Sequence, residues 1–91
     1  MEFEWDPAKD QQNQAKHLVS FDEAASAFGD PFAVTINDPD HSTEENRFLT
    51  TGYSNRQRLI IVAHTDRTER VRIINAREVI AAERRVYEED K

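Results

Sequence analysis

The chain has 91 residues, of which 37% are hydrophobic and 33% are charged, and its formal net charge is −6. A chain of this length has room for one small core, so we expect a single domain over residues 1–91. The lack of cysteine excludes disulfides and thiolate metal sites, and no apolar run reaches the roughly 18 residues of a membrane span. We therefore expect a cytoplasmic protein with no membrane segment, metal site or cofactor.

The charges are unevenly distributed along the chain. Residues 1–45 carry eleven acids and two bases, whereas residues 47–77 carry seven arginines and two acids. The planar guanidinium group matches phosphate oxygens two at a time. The second stretch is therefore a candidate phosphate-binding surface within an acidic protein. The alternative is that these arginines only solubilise exposed strand edges.

The first predicted elements are a short strand and a polar helix. Apolar and acidic residues alternate over Met1–Trp5, which indicates a half-buried strand. Asp6 followed by Pro7 is typical of a helix start, with Asp6 as the N-cap. The helix should continue to about Lys16, and because it has few core residues we expect it to lie across the surface of the sheet.

A second helix should begin after Ser20, which forms a capping box with Glu23 three residues later. Gly29 and Pro31 should end it. Its apolar residues fall on one helical stripe: Phe21, Ala24, Ala25 and Phe28.

Four further strands are predicted by residue periods of two and short turns: Phe32–Ile36, Arg47–Tyr53, Arg58–Thr65 and Arg70–Asn75. The short turns predict antiparallel hairpins. Leu59–Ala63 is apolar on both faces and should lie in the central strand. In the last strand, Arg70 and Arg72 should point away from the face that holds Val71 and Ile73.

Asn75 is the predicted cap of a C-terminal helix, with Glu78 three residues on. The predicted inner stripe of this helix contains Val79, Ile80, Glu83, Val86 and Tyr87. The carboxylate of Glu83 needs an arginine or the Tyr87 hydroxyl as partner if it is structural, and otherwise it is a candidate acid or base. The order β-α-α-β-β-β-β-α predicts an α+β fold with two N-terminal helices, one C-terminal helix and a mostly antiparallel sheet of about five strands.

The ensemble of short motifs resembles the BrnT family of toxins over nearly the whole chain, although no single motif is specific. The matching segments are Trp5-Asp6 with Lys9, Lys16-His17, Val19 to Ala24, Phe28 to Pro31, Glu45 to Phe48, Gly52, His64-Thr65, Arg72 to Arg77, Glu83 and Tyr87.

The resemblance implies a RelE/ParE-like fold and an endoribonuclease toxin of a type II toxin–antitoxin system that cleaves RNA and inhibits translation. It also implies a heteromeric complex with a BrnA-like ribbon-helix-helix antitoxin, through which alone the toxin contacts DNA.

The chain departs from the family pattern at two positions. Leu18 stands where the family usually has glycine after Lys-His, so this turn must adopt another geometry or carry strain. Asn75 replaces a usual serine. Because both residues cap helices, we expect no structural consequence.

Metal-free RNA cleavage needs a base for the 2′-hydroxyl proton, cations for the phosphorane and an acid for the leaving 5′-oxygen. The candidate catalytic residues are His64, Arg72, Arg77, Glu45, Lys16 and His17, and the candidate phosphate-binding residues are Arg47, Arg67 and Arg70. His64, at the end of the central strand, is the preferred histidine, and its alternative role is a structural hydrogen bond to the backbone. Arg77 would oppose the helix dipole in a first turn, which indicates a specific role for it, either pairing with a carboxylate near Glu83 or binding phosphate.

Two other functions stay open from the sequence. One is a non-catalytic interaction module whose arginine-rich strand face binds a partner protein, and the other is an inactive toxin-like domain.

Overall fold

The part of the chain that the computed structural model describes, residues 1–40 and 46–89, contains five strands and three helices. In chain order these are β1 (Glu2–Glu4), α1 (Pro7–His17), α2 (Phe21–Ser26), β2 (Val34–Asn37), β3 (Arg47–Tyr53), β4 (Leu59–Asp66), β5 (Arg70–Glu78) and α3 (Ala81–Glu89), with a 3₁₀ turn at Ala27–Gly29 after α2. The order agrees with the predicted one. The candidate catalytic residue Glu45 lies outside the described residues.

The strands form one sheet in the order β1-β5-β4-β3-β2. The neighbours among β2, β3, β4 and β5 pair antiparallel, and β4 is central, as predicted. β1 pairs parallel with β5, so three of the four strand pairs are antiparallel, in agreement with the predicted mostly antiparallel sheet, and the sheet as a whole is mixed. A parallel pair needs a long crossover, and here most of the chain separates the two strands.

β5 is longer than predicted, and this corrects two sequence predictions. Asn75 and Arg77 pair with Ala63 and Ile61 of β4, after an irregularity in register. Asn75 therefore does not cap α3, and Arg77 lies in a strand rather than in the first turn of a helix. The carboxylate of Glu83 accepts a hydrogen bond from the Ile80 amide at 3.0 Å and so satisfies a donor at the start of α3.

The two faces of the sheet are covered differently. The α1/α2 face carries the core cluster Val19, Phe21, Ala24, Ala27, Ile60, Val62, Ile73 and Ala76, which confirms the buried side of the predicted α2 stripe. The other face, which we call the α3 face, packs against Tyr87 of α3. The predicted inner stripe of α3 is only partly right, because Ile80 and Val86 are 63% and 62% exposed.

The predicted N-caps of α1 and α2 are present. Asp6 accepts from the Ala8 amide and Ser20 accepts from the Glu23 amide. The second half of the capping box is not formed, because the Glu23 carboxylate instead accepts hydrogen bonds from Ser54 and Arg58. The Arg58 guanidinium, as the largest cause, and the Ser54 hydroxyl hold the pKa of Glu23 below its usual value.

Helix α1 is held to the sheet by a buried amide. Asn13 is the buried residue of this helix. Its Nδ2 donates to the carbonyl oxygens of Val19 and Ala76, both at 2.8 Å, and its Oδ1 accepts from the Ala76 amide at 3.1 Å. One side chain therefore joins α1 to the turn before α2 and to β5.

Replacing Asn13 with leucine should strongly destabilise the fold. The change keeps a similar volume but leaves the Ala76 amide and two carbonyl groups buried without partners, at about 1–3 kcal/mol for each such group. We expect urea denaturation to show a loss of about 3 kcal/mol. The control is Gln11→Leu on the exposed side of the same helix, and equal stability of both variants would contradict the role of Asn13.

Candidate functional site

A groove lies at the edge of the sheet between α1 and the part of β5 that extends beyond β1. It has a volume of about 430 Å³, and we call it the α1–β5 groove. Its described lining residues are Lys9, Gln12, Asn13, Lys16, His17, Ile74, Asn75 and Arg77. None of these is acidic, and three carry a permanent positive charge, so the groove offers a cationic surface within an acidic protein.

Helical spacing brings the α1 residues of the groove together. Lys9, Asn13 and Lys16 stand at positions i, i+4 and i+7 and share one face of the helix. Asn13 fixes this face against β5. Lys16 and His17 occupy the last turn, where basic groups interact favourably with the helix dipole. The structure thus brings together the predicted site residues Lys16, His17 and Arg77.

Leu18 ends α1 in the left-handed conformation, with φ 60° and ψ 29°. The turn therefore keeps a geometry that favours glycine and carries strain, which is one of the two outcomes expected from the sequence. Two contacts hold it. The Leu18 amide donates to the Gln14 carbonyl, and the Leu18 carbonyl accepts from Arg58 at 2.7 Å.

Leu18→Gly should stabilise the protein by up to about 1 kcal/mol. The leucine side chain is 74% exposed, so little packing is lost. Relief of about 1–2 kcal/mol of left-handed strain exceeds the roughly 0.5–1 kcal/mol entropic cost of glycine. Thermal and urea denaturation measure the change. Leu18→Ala, which keeps the strain, is the control, and a lower stability for Leu18→Gly would contradict the strained turn.

Arg77 connects the groove to α3 through an ion pair. Its two terminal nitrogens donate to the two carboxylate oxygens of Glu83, each at 2.8 Å. Each partner favours the charged form of the other, so the pKa of Glu83 is lowered and the pKa of Arg77 is raised. This confirms the predicted arginine partner of Glu83. The Tyr87 hydroxyl instead donates to Asp30 at 2.6 Å.

A second cationic surface lies at the beginning of β5, around Glu4. We call it the arginine cluster, and its members are Arg67, Arg70 and Arg72. Their nitrogens lie 3.7, 3.5 and 3.1 Å from the Glu4 carboxylate oxygens. The contact with Arg72 is the strongest cause of the lowered pKa of Glu4. Three guanidinium groups therefore surround Glu4, and a second acid, Glu69, lines the same surface depression as Arg67 and Arg70.

The strand register places a further arginine on the α3 face in line with the arginine cluster. Directly opposite residues share a face, and Glu4 is opposite Arg72, Arg72 opposite Thr65 and Thr65 opposite Arg47. The predicted phosphate-binding residue Arg47 therefore lies in the same transverse row as Arg72, two strands away.

His64 does not line the α1–β5 groove, so the structure does not bring the preferred catalytic histidine to the other candidates. It is 2% exposed and packs between the rings of Phe28 and Phe48. Its Nδ1 lies 2.8 Å from Asp66, and its Nε2 lies 2.7 Å from the Thr50 hydroxyl. The alternative of a structural histidine fits this placement better, with side chains rather than backbone as partners.

The free energy of unfolding should depend on pH through His64. Burial lowers its pKa more than Asp66 raises it, so between the folded and unfolded pKa values the unfolded chain binds more protons. The contribution of His64 is complete above about pH 6.5 and is lost as the pH falls through the lower folded pKa, by at most about 1.4 kcal/mol per pH unit. Urea denaturation between pH 7.5 and 5.0 should show this slope in the parent and a smaller one in His64→Gln. Equal slopes would contradict it.

Sequence reasoning did not assign Lys9, Asn13 or Asn75 to the site. The available signal was the polar stripe of Lys9, Gln12, Asn13 and Lys16 on a helix that lacks an apolar stripe. A helix that packs with a polar face needs specific hydrogen bonds there.

Metal-binding clusters and membrane-spanning helices are both absent from the described residues. Within residues 1–40 and 46–89, no group of three histidine or acidic side chains is close enough to hold a metal ion. In the same part of the chain, no helix has the length and apolarity required to cross a membrane.

The fold and the groove define a small α+β protein with a mixed five-stranded sheet, and this architecture has a solved counterpart. The crystal structure of the Brucella abortus ribonuclease toxin BrnT matches with a TM-score of 0.68, and the match covers 88% of this chain and 97% of that chain at 23% sequence identity. The two proteins therefore share a fold. No curated protein matches the chain.

The family model of the ribonuclease toxin BrnT of type II toxin–antitoxin systems matches residues 5–83. The chain therefore belongs to the BrnT family of ribonuclease toxins. Membership in a type II system implies an antitoxin protein as its partner.

Proposed function

We propose that this chain is a metal-independent endoribonuclease that cleaves RNA in the α1–β5 groove and thereby inhibits translation. The observation that carries the proposal is the groove itself, where His17 lies with Lys9, Lys16 and Arg77 and no acidic residue among its described lining. Such a groove can bind a phosphodiester and present a proton-transfer group to it.

The roles follow from the chemistry of the side chains. Lys16 and Arg77 contact the phosphate and stabilise the charge that develops on the phosphorane. His17 exchanges a proton with the 2′-hydroxyl or the leaving 5′-oxygen. Glu45 stays a candidate for the second proton transfer.

The arginine cluster extends the RNA-binding surface. The side chains of Arg67, Arg70 and Arg72 are 53%, 57% and 38% exposed, and Arg72 and Arg77 belong to the same strand. We assign to the cluster, and to Arg47 in the same row, contacts with phosphates next to the cleaved one. These contacts position the RNA without selecting its sequence.

Family membership supports the remaining part of the proposal. The partner is a BrnA-like antitoxin with a ribbon-helix-helix domain, the complex contacts DNA only through it, and the fold is of the RelE type, as the sequence resemblance implies.

His17→Gln should reduce RNA cleavage at least about 100-fold while the melting temperature stays near that of the parent, because the variant loses proton transfer but no core contact. The assay uses antitoxin-free protein and total RNA in EDTA. Arg56→Ala, in an exposed turn and outside the lining of the groove, is the control and should cleave normally. Full cleavage by His17→Gln, or cleavage that needs added Mg²⁺, would contradict the mechanism.

The Arg77–Glu83 pair allows a second comparison within the same assay. Arg77→Gln and Glu83→Gln both remove the ion pair, and since it is partly exposed each should cost no more than about 1 kcal/mol. Only Arg77→Gln should lose cleavage if Arg77 contacts phosphate. Equal cleavage by the two variants would assign Arg77 a purely structural role.

A further inference from the structure

An apolar groove lies on the α3 face, between α3 and the strands β2, β3 and β4. Its volume is about 250 Å³. The residues that line it are Val34, Ile36, Leu49, Thr51, Ile61, Glu83, Val86 and Tyr87. Ile36 and Val86, on its two sides, are 53% and 62% exposed. Apolar side chains grouped around a groove in this way mark an interaction surface, whereas isolated exposed ones do not.

Polar anchors hold α3 at a fixed place beside this groove. Tyr87 donates to Asp30 at 2.6 Å, and Arg84 donates to the Tyr53 hydroxyl at 3.1 Å. Glu83, directly before Arg84 in the first turn, binds Arg77 through both carboxylate oxygens. Closing the groove by moving α3 would break these contacts, so the groove is a formed feature of the fold.

The charge next to the groove selects the kind of partner. Leu49 lines the groove, and Arg47 lies two residues away on the same face of β3, about 7 Å along the strand. The row through Arg47 continues over Thr65 to Arg72. Glu4 is the acidic member of this row and pairs with Arg72, so two arginines stand against one carboxylate and the row attracts a carboxylate-bearing segment.

We propose that the apolar groove is the docking surface for the antitoxin, which inserts apolar side chains between α3 and β2–β4 and places acidic residues over the row of Arg47 and Arg72. The proposal rests on membership in a type II toxin–antitoxin family and not on the assignment of the RNA site to the α1–β5 groove. An acidic segment over Arg72 would also cover part of the RNA-binding surface, which gives the antitoxin a direct means of inhibition.

The test compares two aspartate substitutions of matched exposure at α3. Val86→Asp places a carboxylate in the groove, whereas Ile80→Asp, at a residue 63% exposed, places one beside the first turn and outside the lining. The probe is the purified protein encoded by the neighbouring gene of the pair, titrated calorimetrically into each variant. We expect Val86→Asp to weaken binding at least about 30-fold, as for a residue central to an interface, and Ile80→Asp to change it less than about twofold.

Ile36→Asp provides an independent variant on a different element, and thermal melting checks that all three variants fold. Parent-like binding by both Val86→Asp and Ile36→Asp would overturn the proposal, as would failure of the parent to bind the probe. Light scattering tests whether the groove instead binds a second copy of this chain. If the parent is a dimer, and Val86→Asp is a monomer that still binds the probe, the groove is a dimer interface and the proposal is overturned. RNA cleavage without the probe should be unchanged in Val86→Asp, so failure of the RNA site is seen separately.

Discussion

The position of α1 depends on the buried side chain of Asn13. Helix α1 has no buried apolar residue among its eleven, so hydrophobic burial cannot determine where it lies. Three hydrogen bonds from Asn13 take that role, and two of them are to Ala76 of β5. Because Lys16 and His17 follow Asn13 on the same helix, this amide also determines their distance from Arg77. Asp10 of the same helix adds a further anchor, because its carboxylate accepts from the Phe21 amide at 2.9 Å. The cationic groove therefore depends on polar side chains of α1 that are satisfied by directional hydrogen bonds.

The arginines of residues 47–77 form ion pairs within the fold, and we propose that some of them also bind RNA. Several of them neutralise carboxylates within the fold: Arg58 binds Glu23, Arg77 binds Glu83, and Arg67, Arg70 and Arg72 surround Glu4. Several of these pairs join elements that are distant in the chain. Arg58 in addition donates to the carbonyl of Leu18, the residue with the strained left-handed backbone. The arginine-rich stretch is thus neither a simple phosphate-binding strip nor only a solubilising edge. In the proposed function, its contribution to RNA binding comes from the charge that remains after the internal pairs are formed.

Local signals predicted the elements well, and non-local contacts account for the errors. Caps, turns and alternation located α1, α2 and the hairpin strands, and β3 has the predicted bounds. The parallel pairing of β1 with β5 and the extension of β5 beyond Asn75 to Glu78 depend on distant partners, which local periodicity does not contain. The same limit applies to the site. Burial of His64 requires Phe28 and Phe48 from separate segments of the chain. The approach of His17 to Arg77 requires the hydrogen bonds of Asn13, and the apolar pattern of α1 does not predict these bonds.

The most direct test of the central claim is to locate bound RNA on the intact protein. A short RNA with 2′-O-methyl groups cannot undergo attack by the 2′-oxygen and should remain bound, so amide and side-chain NMR shifts during its titration identify the surface that it contacts. We expect the largest shifts at Lys16, His17, Asn75 and Arg77, with smaller ones at the arginine cluster. Shifts confined to the apolar groove beside α3, with none along α1, would contradict it.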